Sequence, residues 1–563
     1  MPTEVLRVGI LCNGGTFQRW QAESIAAVRA EPGVELVLLI ERDAETASPK
    51  STWTRALHYP WRTVLYRQYR KHWFRPKAME PVDLSSELSN VPKIRCRPIL
   101  RGHAELFEEA DLALIRSHRP DVLLRFGFNI LHGDILTVAT HGVWSHHHGD
   151  EEHYRGGPPA FWEIVDAQPV IGAVLQRLTE KLDAGRILYK GWFNTVDHSL
   201  EETVDTVLTH SAQWPALVMR RILQGDAVAA EGTLSTSKAP VRKYPTNTVV
   251  LRFLWKRMRN KMRFHRDSLN AHEEWNIGVL NQPIHHLLQT EPSLNVRWLP
   301  APAQNSFRAD PFGFVGSDGQ LHILYEKFDH ATGKGEIARL RPKRDNVLKR
   351  SRTVLELPEH LSYPFVLERD GEVLVIPEQA ARGRVDLYRL DADMTALERI
   401  ATLLEEPLFD PTVLEWEGRW WMFGTKAPLT NVELFIYHAP RLEGPWTPHT
   451  LNPVKADIRS ARPGGTPFVH NGALYRPAQD SSLTYGGRIA LNRVIALDPE
   501  RFAEETVRHI GPIGGTAYNK GLHTIAAVGD ITVLDGKRLL KVPAKAAREQ
   551  KAKLVRFRKR LQA

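Results

Sequence analysis

Four times in the second half of this chain an X-Pro pair opens an apolar run. The runs are Ala309-Asp310-Pro311-Phe312, Ser362-Tyr363-Pro364-Phe365, Phe409-Asp410-Pro411-Thr412 and Gly465-Thr466-Pro467-Phe468. The starts recur about every fifty residues, the length of one four-stranded propeller blade. A fifth unit is expected near Lys520-Gly521-Leu522-His523-Thr524. After each of the first three starts the chain repeats one grammar: apolar strand, Gly turn, second strand. Gly319 precedes 321–325, Gly371 precedes 373–376 and Gly418 precedes 420–423. Proline cannot donate to a sheet ladder, so it belongs at an edge or a bulge. A β-sandwich offers no reason to repeat it at that period. The pattern predicts an all-β five-bladed propeller over 271–536.

The front of the chain has a different texture. Arg7-Val8-Gly9-Ile10-Leu11 runs into Cys12-Asn13-Gly14-Gly15-Thr16, a helical pattern follows, and 34–40 is again apolar. Strand, Gly turn, helix, strand is the βαβ opening of a parallel sheet. A helix is expected over 104–117, strands over 121–127 and 141–144, and one helical stretch over 200–223. Residues 44–91, rich in Trp, Tyr, Arg and His, read as an insertion. With 563 residues, more than one core is required. The predicted domains are 1–235 (Rossmann-like α/β), 236–270 (basic helical linker), 271–536 (propeller) and 537–563 (basic, solvated tail).

Two cysteines, Cys12 and Cys96, exclude a disulfide framework and make a reducing, cytoplasmic compartment the expectation. No apolar run is long enough to predict a membrane span. The net charge of +10 is concentrated in two places. From 537 to 563 there are eleven Lys/Arg and one acid, and from 241 to 266 nine Lys/Arg and none. Within 248–265, Leu251, Leu254, Trp255, Met258 and Met262 fall at helical spacing. That pattern fits an amphipathic helix on an anionic membrane, or a linker helix packed between domains. No RNA-binding motif accompanies the charge, so no specific nucleic-acid partner is expected.

Ser145-His146-His147-His148-Gly149-Asp150 gathers imidazoles and an acid ahead of the Gly/Pro loop Tyr154-Arg155-Gly156-Gly157-Pro158-Pro159. Leu182-Asp183-Ala184-Gly185 brings a second acid. Three readings compete: a His/carboxylate metal site, a solvated polar loop, and a site where one imidazole moves protons or stabilises an oxyanion with Asp183 as partner.

In order along the chain, these motifs resemble the formyltransferase family, which includes methionyl-tRNA, glycinamide ribonucleotide and sugar N-formyltransferases. The resemblance covers about residues 6–225. It includes Phe126-Gly127-Phe128-Asn129-Ile130-Leu131 and His147 eight residues before Arg155. It implies a formyl (one-carbon) transferase using 10-formyltetrahydrofolate as donor, without a metal, and acting on an amine of an amino sugar, sugar nucleotide or glycan. It carries the catalytic positions onto His147, Asp183 and Ser145, where Ser145 replaces the family's Asn. It implies a folate site at Phe126, Gly127, Phe128, Ile130 and Leu131. Acceptor contacts are expected at Asn13, Gly14, Gly15, Asp150, Arg155 and Gly156.

The second half, through Ala309-Asp310-Pro311-Phe312, Ile376-Pro377-Glu378, Gly444-Pro445-Trp446 and Arg476-Pro477-Ala478-Gln479-Asp480, resembles two families. One is the N-terminal domain of glucosamine inositolphosphorylceramide transferases; the other is the family 43-type glycosidases. Both imply carbohydrate. Asp310, Glu326, His360, Glu378, Asp410, Arg476, Asp480 and His523 are the residues expected to converge in the propeller. A glycan-binding propeller, an inactive front domain, and a glycosidase seated in the propeller are the alternatives that follow.

Overall fold

The computed structural model describes residues 5–43, 61–101, 104–181, 185–303, 305–342 and 351–541, without the side chains of 268–270. The chain divides into two compact units, Met1–Met262 and Arg263–Ala563.

In the first unit, eight strands form one mixed sheet: β1 (Leu6–Cys12), β2 (Val34–Arg42), β3 (Lys93–Cys96), β4 (Val122–Arg125), β5 (Val143–His147), β6 (Val170–Arg177), β7 (Arg186–Asn194) and β8 (Thr233–Leu234). Their order is β8-β7-β6-β5-β4-β1-β2-β3. β1 runs parallel to β2 and β4, and β4 to β5, while β6 is antiparallel to β5 and β7. The central strands are unbroken apolar runs because both faces are covered: Val8, Ile10, Leu38, Ile40, Val122 and Leu123 are buried. The chain leaves β1 toward β2 and later returns to β4 on β1's other side. Open α/β sheets bind ligands at the carboxyl ends of strands at such a switch point. Asn13, Arg125 to Gly127, and His147 stand there.

Seven helices matter here: α1 (Arg19–Ala30), α2 (Val64–His72), α3 (Glu109–Ser117), α4 (Phe161–Asp166), α5 (Leu200–Ser211), α6 (Trp214–Leu223) and α7 (Asn247–Asn270). Two expectations need correction. Ala104–Leu106 is a strand, and the helix starts only at Glu109. The stretch 200–223 is two helices, since Pro215 in the first turn of α6 has no N–H to extend α5. Of the insertion, residues 61–91 carry α2, whose Tyr66 and Tyr69 are buried edge-on to Phe161 and Phe253. The expected basic linker segment forms α7, whose Val250, Phe253 and Asn260 are buried.

Among the described residues, the second unit holds five antiparallel sheets of four strands or more. Four are meanders beginning at Ser306–Val315, Ser362–Arg369, Phe409–Trp416 and Phe468–His470. The fifth joins the two ends of the unit: Ala271–Leu280 pairs on one side with Val296–Trp298 and on the other with Ile531–Lys541, which in turn pairs with Ile525–Val528. The X-Pro pairs explain themselves. Register breaks lie between Ala309 and Phe312, Ser362 and Phe365, and Phe409 and Thr412. Each proline therefore sits at a bulge where no ladder donor is needed. The residue before it is left-handed, with φ of 51° at Asp310, 42° at Tyr363 and 50° at Asp410. Non-glycine residues adopt that conformation only where their surroundings enforce it.

The tail boundary at 537 also moves. Ile531–Lys541 is a strand, and Lys537 is 1% exposed. Its ammonium bonds Glu273 Oε1 at 2.9 Å and the Tyr485 carbonyl at 2.5 Å, and lies over the Trp275 ring. Residues 542–563 lie outside the described residues.

Candidate functional site

The crevice of the first unit is built from the carboxyl ends of β1, β4 and β5. Gly127 is required there: a Cβ would stand 2.5 Å from the Cys12 carbonyl carbon. This close crossing brings Asn13 Oδ1 to the Phe128 N–H at 3.3 Å. Arg125, the last residue of β4, donates to Ser145 Oγ from Nε (3.1 Å) and Nη2 (2.8 Å), and from Nη1 to the Asn129 carbonyl (2.8 Å). Ser145 in turn points its proton at the His146 carbonyl, 3.3 Å away. The serine expected to donate to an oxyanion is thus an acceptor for a guanidinium, and Arg125 is the stronger donor at that place.

His147 ends β5 and is 8% exposed. Its Nε2 lies 2.7 Å from the Tyr154 carbonyl, which holds the Nε2–H tautomer and ties the imidazole to the Tyr154–Pro159 loop. Its neighbours do other work. His146 Nε2 bonds the Ser211 carbonyl, and His148 Nε2 bonds Ser211 Oγ. Both rings meet Trp20 edge-on. Desolvation by the surrounding protein pushes His146 down to about 4 and holds His148 well below the ordinary range. Both are therefore neutral at pH 7. Asp183, the partner expected for His147, lies outside the described residues.

Of the expected folate residues, Ile130 and Leu131 line a cleft with Arg125, Leu178 and Lys181. Phe126 packs instead on Trp20 and Phe128 on Phe107. The cleft walls mix apolar Ile130, Leu131 and Leu178 with polar Asn129, His132 and Glu180. Its volume is about 40 Å³.

The acidic loop is already neutralised. Lys190 Nζ lies 2.8 Å from Asp150 Oδ1 and 3.1 Å from Glu151 Oε2. Burial pushes Asp150 up, but the Lys190 ammonium outweighs it and holds the carboxyl below its ordinary value. Asp150 is thus not an open cation site. Arg155 donates to the Ala239 carbonyl at 3.1 Å, and Gly156 (φ 83°) pairs with Arg242, whose carbonyl would meet a Cβ at 2.3 Å. Gly14 and Gly15 form the turn after β1.

Beside that loop lies a residue the sequence reading missed. Glu163 is 2% exposed and lines a small pocket with His148, Gly149, Tyr154, Trp162 and Arg242. Burial pushes its carboxyl up to about 8.

In the second unit, five of the eight expected residues fall in one buried network. Thr524 Oγ1 donates to Asp310 Oδ1 (2.6 Å), and the Asp310 N–H donates to Asp535 Oδ2 (3.1 Å). His523 Nδ1 meets Asp535 Oδ2 at 2.5 Å, its Nε2 lies 3.6 Å from Asp310, and its ring stacks on Trp275. Asp410 takes Arg462 through two bonds (2.5 and 3.1 Å) and Gln479 Nε2 at 2.8 Å. Burial raises Asp310, raises Glu326 far above its ordinary range, and raises Glu378 to about 7. His360 joins at the edge, 3.6 Å from Glu326.

Arg476 and Asp480 do not join this network. Arg476 forms a buried pair with Glu504 (2.6 Å), and Asp480 pairs with Arg488 (2.7 Å). Arg488 lies on the strand next to Asp480 and Glu504 on the next strand but one from Arg476, so both charges are spent inside one sheet. Arg462, Asp535, Tyr485 and Trp275 were missed. Asp310, His523 and Asp535 bring one ligand atom each within 4.8 Å, as do Asp150, Glu152 and His153. Thr524 and backbone N–H groups already serve the first group, and Lys190 the second.

Residues 294–520 match the family model described as glucosamine inositolphosphorylceramide transferase 1, N-terminal. The enzyme of that name from Oryza sativa subsp. japonica is 30% identical over 251 residues, covering 42% of this chain and 34% of the relative. The Arabidopsis thaliana enzyme is 31% identical over 224 residues, 38% of this chain and 29% of the relative. A methionyl-tRNA formyltransferase of Halalkalibacterium halodurans is 31% identical over 109 residues, 19% of this chain and 32% of the relative. The chain thus spans about a third of the length of the curated relatives it matches. It is similar to two kinds of transferase.

Proposed function

We propose that the first unit transfers a formyl group, or a related one-carbon unit, from 10-formyltetrahydrofolate to an amine on a sugar or glycoconjugate. The second unit, in this reading, is a closed five-bladed propeller that binds the carbohydrate. The observation that carries the proposal is the pairing of the half-buried Arg125 guanidinium with Ser145, two residues before His147, at the switch point of the sheet.

The folate supplies the activated formyl carbon. Arg125 presents cationic donors where negative charge develops on the carbonyl oxygen, the kind of contact worth about 10²–10³ in rate. His147, held by Tyr154, presents an imidazole to the same crevice and accepts a proton from the amine as its bond to the formyl carbon forms; the proton goes on to N10 of the folate as the N10–formyl bond breaks and tetrahydrofolate leaves. Asp183 remains its proposed partner. His146 and His148, neutral and half-buried, add no competing charge.

Support for an amino-sugar acceptor comes from the second unit. Its relatives' name joins glucosamine to inositolphosphorylceramide, and the sheet joining both ends of the unit is what closure of a propeller requires. A second reading, a glycosidase in that unit, is favoured by the gathering of the buried carboxyls Asp310, Glu326, Glu378 and Asp410. The Asp410–Arg462 pair argues against it, because it commits the Asp410 carboxyl to a guanidinium. Activity on glycans lost in Asp310→Asn but kept in His147→Ala would support hydrolysis.

Calorimetric titration with tetrahydrofolate tests the donor site. One site per chain is expected, weakened at least about tenfold in Ile130→Glu by a charge set against the ring. Absence of heat at any concentration, with the chain folded, overturns the folate assignment.

A further inference from the structure

α7 carries two faces, and the proposed reaction uses neither. Inward, Val250 and Phe253 are fully buried, Phe253 lies against Phe161 and Tyr69, and Lys256 Nζ donates to the Val165 carbonyl at 2.9 Å. These contacts fix the helix and leave its other face outward. Leu251 (58% exposed), Trp255 (58%), Met258 (54%) and Met262 (57%) form a stripe there at spacings of four, three and four. The stripe spans about 16 Å along the axis at 1.5 Å per residue. Arg252, Arg259 and Lys261 flank it, also exposed. From 241 to 266 there is no acid.

An independent segment has the same character. α2 turns Tyr66 and Tyr69 inward, and its end is tied to α7 by Asn247, which bonds the Trp61 carbonyl and the Leu65 N–H. Outward it leaves Trp61 (66% exposed) and Trp73 (65%). From 61 to 77 there are six Lys/Arg and no acid. Two adjoining elements, distant in sequence, thus expose large apolar side chains on segments that carry no acid of their own; Glu201, from α5, meets Arg257 and Tyr69 between them.

We propose that α7 and α2 form a docking surface for an anionic lipid bilayer. Tryptophan, leucine and methionine ringed by arginine match the acyl–headgroup boundary, where apolar side chains leave water while cations meet phosphate. A nucleic acid would satisfy the arginines and stack the tryptophans, but would leave the leucine and methionine side chains in water. No helix among the described residues is long and apolar enough to cross a membrane, so the contact is one of lying on the surface.

The test uses the full chain with sedimented vesicles of phosphatidylcholine, with or without phosphatidylserine, at low and high salt. Two exposed-site variants accompany it: Trp255→Ser with Met258→Ser, and Arg252→Glu with Arg259→Glu. Thermal melting checks that both fold as the parent does. Binding only to phosphatidylserine vesicles is expected, lost at high salt. The apolar pair should weaken it by about tenfold or more, and the charge reversal by at least about fivefold per residue. The proposal fails if phosphatidylserine vesicles are not bound at low salt, or if either variant binds as the parent does. It fails also if a single-stranded RNA binds with loss in the arginine variant while vesicles do not.

Discussion

Glu163 is a carboxyl that the fold holds away from water beside Tyr154 and Arg242. Its value of about 8, against an ordinary 4.5, has a definite consequence for stability. A carboxyl raised in the folded state favours folding while protonated, so stability falls as pH rises from about 4.5 to 8. Asp150 and Asp166 add to the penalty and Arg242 reduces it. Glu163→Gln removes the ionisation. It should leave Tm near that of the parent at pH 4 and raise it by at least roughly 2–4 °C at pH 8, as scanning calorimetry can read. Much of the crevice was legible residue by residue. His147 and its loop follow from one contiguous motif. Arg125 and Glu163 did not, for a physical reason. Arg125 meets Ser145 across two strands adjacent only in the folded sheet, and Glu163 becomes unusual only through burial. The faint signal for Arg125 was a lone cation closing the apolar run Val122-Leu123-Leu124.

At the scale of elements, the fourth sheet of the second unit, the one beginning at Phe468–His470, depends on a buried charge pair. Arg476 and Glu504 are each about 1% exposed at the side chain, and Lys455 bonds the same carboxylate at 2.8 Å. Burial alone would raise Glu504, but Arg476 and Lys455 outweigh it and depress the carboxyl to about 2. A depressed carboxyl gives stability that is present above the unfolded value and lost as pH falls from about 4.5 toward 2. Glu504→Gln strands the Arg476 guanidinium. It should cost about 3–5 kcal/mol in urea unfolding at pH 7, with the difference shrinking at acid pH. The sheets themselves were readable, since the first three X-Pro starts mark real bulges and the fourth stands just ahead of its strand. What the period could not reveal was the last sheet's dual origin. Its pairing of 271–280 with 531–541 is the longest-range contact in the unit, and it turned the start of an expected tail into a strand. In the same way 200–223 read as one helix, because apolar spacing carries across Pro215 while the backbone bonds do not.

For the whole molecule, two units with separate cores carry two kinds of chemistry: a switch-point crevice with an imidazole and a guanidinium, and a buried carboxylate network among β-sheets. Composition indicated more than one core, and motif order indicated which half held which texture. What the chain acts on is a property of the whole and of its acceptor. The most direct measurement is release of tetrahydrofolate when the full chain is incubated with 10-formyltetrahydrofolate and amino-sugar nucleotides or aminoglycans. Release with at least one amine acceptor is expected, falling by about 10²–10³ in Arg125→Ala and to a comparable extent in His147→Ala. No release with any acceptor, or release that survives both substitutions unchanged, contradicts the account.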